Sequence, residues 1–215
     1  MNYDSVPLRD FKELNDWETV IFVYQSALKQ VETKIDILNG EFQHRHKYNP
    51  IEHVKSRIKT PESIVKKLKR HGYESSIENM VRYVNDIAGI RISCSFTSDI
   101  YLIADMISKQ NDLTILARRD YMKNPKKSGY RSYHMLVTTP VFLSDSIIDT
   151  KVEIQIRTVA QDFWATLEHK MHYKFEGDGP DYITKELREC ARYVAELDTR
   201  MEEPVSYTHL TLPTT

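Results

Sequence analysis

The chain has 215 residues, a net charge of −1, 40% hydrophobic and 28% charged residues. That composition belongs to an ordinary globular protein, one compact domain with a helical extension or two small domains. It excludes a helical membrane span, because no apolar run approaches the roughly 18 residues required, and it argues against a broad nucleic-acid surface, which needs many cations facing phosphate.

Charge is uneven along the chain. Residues 51–72 hold seven Lys/Arg against two acids, residues 118–134 six against one, and residues 176–203 nine acids against four bases. Two basic blocks in a neutral chain point to local anion sites. The start, Met1 to Ser5, shows no secretory signal. Cys94 and Cys190 have no metal-type spacing and fall on apolar faces. Both are expected as buried free thiols in a reducing cytoplasm.

Over 11–39, apolar residues recur in steps of three and four, from Phe11 and Leu14 through Trp17, Ile21, Tyr24 and Leu28 to Leu38. The spacing predicts a long amphipathic helix ending at Asn39-Gly40, packed within its own domain or on a helix of another subunit. Residues 42–60 are polar and basic, with a turn at Asn49-Pro50. His44, His46 and His53 there lack a cysteine or acidic pair at ligand spacing, so no metal site is read from them. Thr60-Pro61 then opens a helix that Gly72 closes. Ser63, Lys67 and Arg70 share one face of it, and Arg57 and Lys59 lie just before its cap. Cations and a hydroxyl at a helix N-terminus suit an anion; a solvated basic face is the plainer alternative.

Ser75 and Glu78 read as a capping box for a helix through about residue 85. Asp86 follows, either as a turn residue or as part of a ligand site. Beyond the Ala88-Gly89 joint, Ile90, Ile92, Cys94 and Phe96 alternate with Arg91, Ser93 and Ser95, which predicts a strand with one polar face. Asp99 caps the next helix, over Ile100 to Ile107, and Leu113 to Ala117 form a short strand. Residues 118–129 make a basic, turn-rich loop. Tyr130 comes directly after Gly129, near Lys126, and leads with His134 into a strand over 133–138. A flat ring beside a glycine in a basic loop suits stacking on a nucleobase; an interfacial tyrosine is the alternative.

Pro140 and Ser144-Asp145-Ser146 give a hairpin-like connection into the stretch Lys151 to Thr158. Here alternation is strict. Val152, Ile154 and Ile156 point one way, Glu153, Gln155 and Arg157 the other. A surface strand with an ion-pair row would look the same. Yet this polar face runs straight into a helix over 160–174 (Phe163, Trp164, Leu167, Met171), the place where open sheets hold ligands. Glu168, His169 and His172 in that helix do not make the His-Glu-x-x-His zinc pattern. Gly177 to Pro180 breaks the chain, and a last helix from Ile183 to Met201 stops at Pro204. The uncharged tail reads as a cloning or sequencing scar. A single domain is therefore expected over 1–203, with 204–215 set aside.

Asp86 and Glu153 thus stand at or beside polar-faced strands, near two basic blocks and a stacking tyrosine. Mg²⁺ is held by one or two carboxylates plus substrate phosphates. That is the outline of a phosphoryl-type transfer site, without a Walker loop.

Four motifs, in order, carry a resemblance: Asp86-Ile87-Ala88-Gly89-Ile90-Arg91, Ser128-Gly129-Tyr130-Arg131-Ser132-Tyr133-His134, Val152 to Thr158, and Phe163-Trp164-Ala165-Thr166-Leu167-Glu168-His169. They resemble the RelA/SpoT synthetase domain, from about residue 15 to 203, in the stand-alone form of the small alarmone synthetases of Gram-positive bacteria, RelP type. The resemblance implies an α+β fold, a mixed β-sheet of the nucleotidyltransferase kind flanked by helices, with long N- and C-terminal helices. It implies a cytoplasmic homotetramer that transfers pyrophosphate from ATP to the 3′-OH of GDP or GTP with Mg²⁺ as cofactor. By motif, Arg57 and Arg91 would sandwich adenine, and Lys59, Ser63, Lys67 and Arg70 would hold the ATP phosphates. Asp86 would coordinate Mg²⁺ with Glu153 assisting. Glu153 would also be the general base, although a bound cation weakens a carboxylate as a base and leaves a neighbour or a water as the alternative. Tyr130 would stack on guanine, with Lys126, His134 and Gln155 around the acceptor. Asp162, where the family often has Asn, is assigned to the same acceptor site. An alarmone- or RNA-binding regulatory module of this fold is the rival reading, disfavoured for RNA by the net charge.

Overall fold

The computed structural model describes residues 16–46, 48–175 and 180–209. Its elements in chain order are α1 (Trp17–His46), β1 (Ile51–Ile58), α2 (Pro61–Arg70), α3 (Ile77–Tyr83), β2 (Ala88–Cys94), α4 (Thr97–Ser108), β3 (Thr114–Asp120), β4 (Tyr133–Phe142), β5 (Ile147–Thr158), α5 (Val159–Lys174) and α6 (Asp181–His209). The five strands form one sheet in the order β1-β2-β5-β4-β3. Only β2 and β5 run parallel; the other neighbours are antiparallel. This is the expected α+β fold with a mixed sheet and long terminal helices. The alternating stretch occupies its middle, so both edges of β5 are bonded and only its faces remain to be filled.

One face is apolar. Ile90 and Ile92 of β2, with Val152, Ile154 and Ile156 of β5, pack with Val23, Ala27 and Val31 of α1 and Ile100, Ile103 and Ile107 of α4. A second, small core joins α5 to α6 through Trp164, Ala165 and Ala191, and Tyr130 packs against it. The Trp164 indole N–H donates to the Leu187 carbonyl at 2.8 Å.

Several boundaries differ from the expected ones. β1 lies within 42–60, a stretch expected as an irregular basic segment. Its few apolar residues, Ile51, Val54 and Ile58, do not alternate, because β1 is an edge strand with a register shift between Ile51 and His53. Helix α1 passes through Asn39-Gly40 instead of stopping there. A glycine costs a helix only about 1 kcal/mol, and Gly40 stands in open space. Helix α3 is capped one residue later than expected: the Ser76 hydroxyl accepts from the Asn79 N–H at 3.2 Å. Asp99 sits inside the first turn of α4, its carboxylate accepting from the Phe96 N–H at 3.1 Å.

Arg118 and Arg119 belong to β3, paired with Met135 and His134, and not to the basic loop. Pro140 lies within β4, opposite Asp149, beyond the point where β3 stops pairing at Thr138. At this position β4 is paired on one side only, where a proline is tolerated. The hairpin itself closes with Leu143 N–H donating to the Ser146 carbonyl at 2.9 Å. Cys94 is buried as expected, but Cys190 is exposed, because α6 meets α5 through Leu187, Ala191 and Val194. Helix α6 also continues past Pro204 to His209; one lost N–H at a proline weakens an established helix without always ending it. The expected helical positions Phe11 and Leu14, the break at Gly177 to Gly179 and tail residues 210–215 lie outside the described residues.

Candidate active site

The opposite face of the sheet carries charge. Strand pairing sets Gly89 beside Glu153, Arg91 beside Gln155 and Ser93 beside Arg157. Across the other edge of β5, His134 lies beside Gln155, and Arg57 of β1 lies beside Gly89. Paired residues project to the same side of a sheet, so four strands deliver one polar row. A cleft of about 490 Å³ opens over it, lined by Arg57, Asp86, Arg91, Tyr130, Glu153 and Gln155 among others. Its outer wall is α5, through Thr166, Glu168, His169 and Lys170.

Asp86 ends the connection between α3 and β2. Its carboxylate is closed between two lysines: Lys59 Nζ donates to Oδ2 and Lys67 Nζ to Oδ1, each at 2.8 Å. Burial alone would raise its pKa; the two lysines win and bring it down to about 2. Lys67 reaches it from the second turn of α2, whose N-cap Thr60 accepts from the Ser63 N–H at 3.3 Å. The basic face of α2 is therefore not simply solvated. Ser63 and Arg70 remain exposed at its two ends.

Glu153 belongs to a bonded row. Its Oε2 accepts from Gln155 Nε2 at 2.9 Å, and Gln155 Oε1 accepts from Arg157 Nη2 at 2.9 Å. His134 Nδ1 lies 3.6 Å from Glu153 Oε1, while His134 Nε2 and the Tyr130 hydroxyl are 2.9 Å apart. Burial pushes the Glu153 pKa up, but the His134 and Gln155 contacts outweigh it, and the net direction is down. Glu153 is thus ionised at neutral pH. A cavity of about 60 Å³ lies behind it, lined by Asn85, Arg119, His134 and Leu136 among others.

Tyr130 is packed from three sides. Lys126 Nζ lies 4.7 Å and the Arg157 guanidinium 5.6 Å from its ring centroid. Gly129 before it has φ +95°, and a Cβ there would come within 2.5 Å of the Ala191 Cβ. Only glycine permits both the backbone angle and the approach of α6. Asp162, in the first turn of α5, puts Oδ1 3.4 Å from Arg91 Nη1 and 3.6 Å from Arg157 Nε.

Comparison with known proteins agrees with the motifs. The family model described as a region found in RelA / SpoT proteins matches residues 56–178. GTP pyrophosphokinase YwaC of Bacillus subtilis (strain 168) is 46% identical over 188 residues, 87% of this chain and 90% of the relative. This chain belongs to the RelA/SpoT synthetase family. Among solved structures of that family, small alarmone synthetase 2 of Bacillus subtilis superposes with TM-score 0.82 at 44% identity, covering 90% of this chain and 100% of that one. Small alarmone synthetase 1 of the same organism, bound to its product pppGpp, gives TM-score 0.82 at 34% identity, covering 89% and 97%.

The RelA/SpoT motifs thus meet at one cleft. Arg57, Asp86, Arg91, Tyr130, Glu153 and Gln155 line it, and Lys59, Lys67, Lys126, His134 and Asp162 touch residues that do. Sequence reasoning assigns no role to two buried residues. Arg157, 2% exposed, stands on the alternating face and connects Gln155, Tyr130 and Asp162. Lys151, also 2% exposed, stands two positions before Glu153 and donates to Asn85 Oδ1 at 2.7 Å and to the Arg82 carbonyl at 3.3 Å. Burial, with some help from Lys67, lowers the Lys151 pKa to about 8. The period of two that marked Glu153 marks both of these as well.

Proposed function

We propose that this chain is a GTP pyrophosphokinase, transferring pyrophosphate from ATP to the ribose 3′-OH of GDP or GTP and releasing AMP. The observation that carries this is the convergence of two ionised carboxylates, Asp86 and Glu153, with Arg57, Arg91, Lys59 and Lys67 at one cleft. Such a site acts by positioning and by neutralising charge on the group in transit. The catalytic unit is residues 1–203, and the enzyme works in the cytoplasm.

Asp86 and Glu153 fit Mg²⁺: both are oxygen donors held ionised, and the charge of Asp86 is felt at Glu153. When bound with ATP, the ion would neutralise phosphate charge and make the β-phosphorus more electrophilic. Arg57 and Arg91, on adjacent strands, suit the two faces of adenine. Lys59, Ser63, Lys67 and Arg70 lie along the start and face of α2 and serve the ATP phosphates. On the acceptor side Tyr130 offers a ring to guanine, with Lys126 for phosphate and His134 and Gln155 fixing the ribose end.

The 3′-oxygen attacks the β-phosphorus, the bond from that phosphorus to the α-phosphate oxygen breaks, and AMP leaves. Glu153 takes the hydroxyl proton, directly or through a water seated in the small cavity behind it, which is large enough for one. The exposed stripes Phe163, Leu167 and Met171 on α5 and Tyr193, Leu197 and Met201 on α6 support assembly into a homotetramer.

The deciding experiment incubates the protein with ATP, Mg²⁺ and GDP or GTP, beside Glu153→Gln and Asp86→Asn. AMP formed one-for-one with a guanosine tetra- or pentaphosphate, and lost in both variants, supports the assignment. Absence of AMP from the folded wild type overturns it in favour of an alarmone- or RNA-binding module.

A further inference from the structure

Asp162 is placed by its neighbours and not by the cleft. Its side chain is 14% exposed, against 2% for Arg157 and 36% for Arg91. Its Oδ1 faces both guanidinium groups, at 3.4 and 3.6 Å. Oδ1, Arg91 Nε and Arg157 Nε are each buried without a hydrogen-bond partner among the described residues. Oδ1 is therefore held by charge, at ion-pair distance from Arg91 Nη1 and Arg157 Nε. Arg91 and Arg157 stand on neighbouring strands and on the same side of the sheet. Without a carboxylate between them, two like charges would share a poorly solvated space. Arg157, 2% exposed at the cleft, is held by Gln155; Arg91, 36% exposed, is freer and would move outward.

These two arginines serve different substrates. Both line the cleft, but Arg91 stands on the strand next to that of Arg57. Arg157 supports the ring of Tyr130 and, through Gln155, the Glu153 carboxylate. We propose that Asp162 is a positioning residue, a charge bridge that locks donor-side Arg91 to acceptor-side Arg157, and not a reader of the guanine base. The assignment of donor and acceptor sides rests on the pyrophosphokinase reading. The bridge has a chemical requirement that a base contact lacks: it needs a full negative charge, not merely an acceptor oxygen. An amide of the same shape keeps the oxygen and loses the bridge.

The test is calorimetric binding to the full chain, so it stands whether or not turnover is seen. A non-hydrolysable ATP analogue with Mg²⁺, GDP, and IDP, which lacks the exocyclic 2-amino group, are titrated into wild type, Asp162→Asn and Asp162→Glu. The expected result is that Asp162→Asn weakens the ATP analogue about tenfold, as loss of a charged partner does, while the GDP-over-IDP preference stays as in wild type. Asp162→Glu, which keeps the charge, restores most of the analogue affinity. Unchanged analogue affinity in folded Asp162→Asn would overturn the bridge. So would loss of the GDP-over-IDP preference, which marks a direct contact with the base. Wild-type protein that binds neither nucleotide defeats the pyrophosphokinase reading itself, a separate result.

Discussion

On one face of β5, Val152, Ile154 and Ile156 are fully buried in the core that includes α1 and α4. On the other, Lys151 and Arg157 are only 2% exposed, and Glu153 and Gln155 are half-buried. The two faces are removed from water to a similar degree, but by different means. The apolar face gains free energy from each side chain it hides. The polar face loses solvation at every residue and recovers it only through bonded partners: Lys151 with Asn85, Glu153 with Gln155, Arg157 with Gln155 and Asp162. Stability lives on the first face and pre-organisation on the second, so damage to each should show in a different measurement.

The sharpest separation comes from Glu153→Gln. It should lower AMP formation about a thousandfold, equivalent to about 4 kcal/mol of transition-state stabilisation, while the urea midpoint stays near wild type. An equal loss of stability would mean that Glu153 holds the fold. Ile154→Ala, its neighbour on the other face, should do the reverse. The cavity costs about 3 kcal/mol in urea unfolding, and turnover per folded molecule is unchanged.

A third test uses acid. Asp86 has a folded pKa of about 2 against an ordinary 3.8. The unfolded chain therefore binds the proton first, and the stability due to Asp86 is complete above about pH 4 and fades as pH falls toward 2. Its size is about 2 kcal/mol. The difference in urea midpoint between wild type and Asp86→Asn should shrink over that window; a constant difference would place the lysine pairs outside the stability of the fold. The smallest effect is at the α2 cap. Thr60→Ala should cost about 1 kcal/mol and weaken ATP-analogue binding through the displaced Lys67, leaving GDP binding intact.

The same contrast explains what could be read from the residues. The two polar-faced strands were visible because alternation is complete where both strand edges are paired, as in β5 and β2. β1 was hidden because an edge strand with a register shift has no regular period. Asp86 and Glu153 stood out as carboxylates at strand positions. Lys151 and Arg157 lie on the same face, but a lysine or arginine in a strand reads as solvent-facing until its partners Asn85 and Asp162 are seen, 66 and 5 positions away in the chain. The bridging position of Asp162 between Arg91 and Arg157 was beyond reach for that reason, since it depends on three elements meeting. Gly129 was expected as part of a turn, whereas its approach to Ala191 depends on the packing of α6.

That approach has a bearing on the order in which the molecule matures. The sheet, Asp86 and Glu153 are all encoded before α6. Tyr130 takes its seat only when α6 lies against Gly129 and α5. Chains fold largely from the N-terminus as they are made, and a contact between distant segments carries the entropy of the loop it closes. A nascent chain that has emerged through α5 therefore carries Asp86 and Glu153 but lacks the α6 surface that packs with Tyr130. On the proposed assignment, the acceptor side of the cleft is therefore the last to be completed.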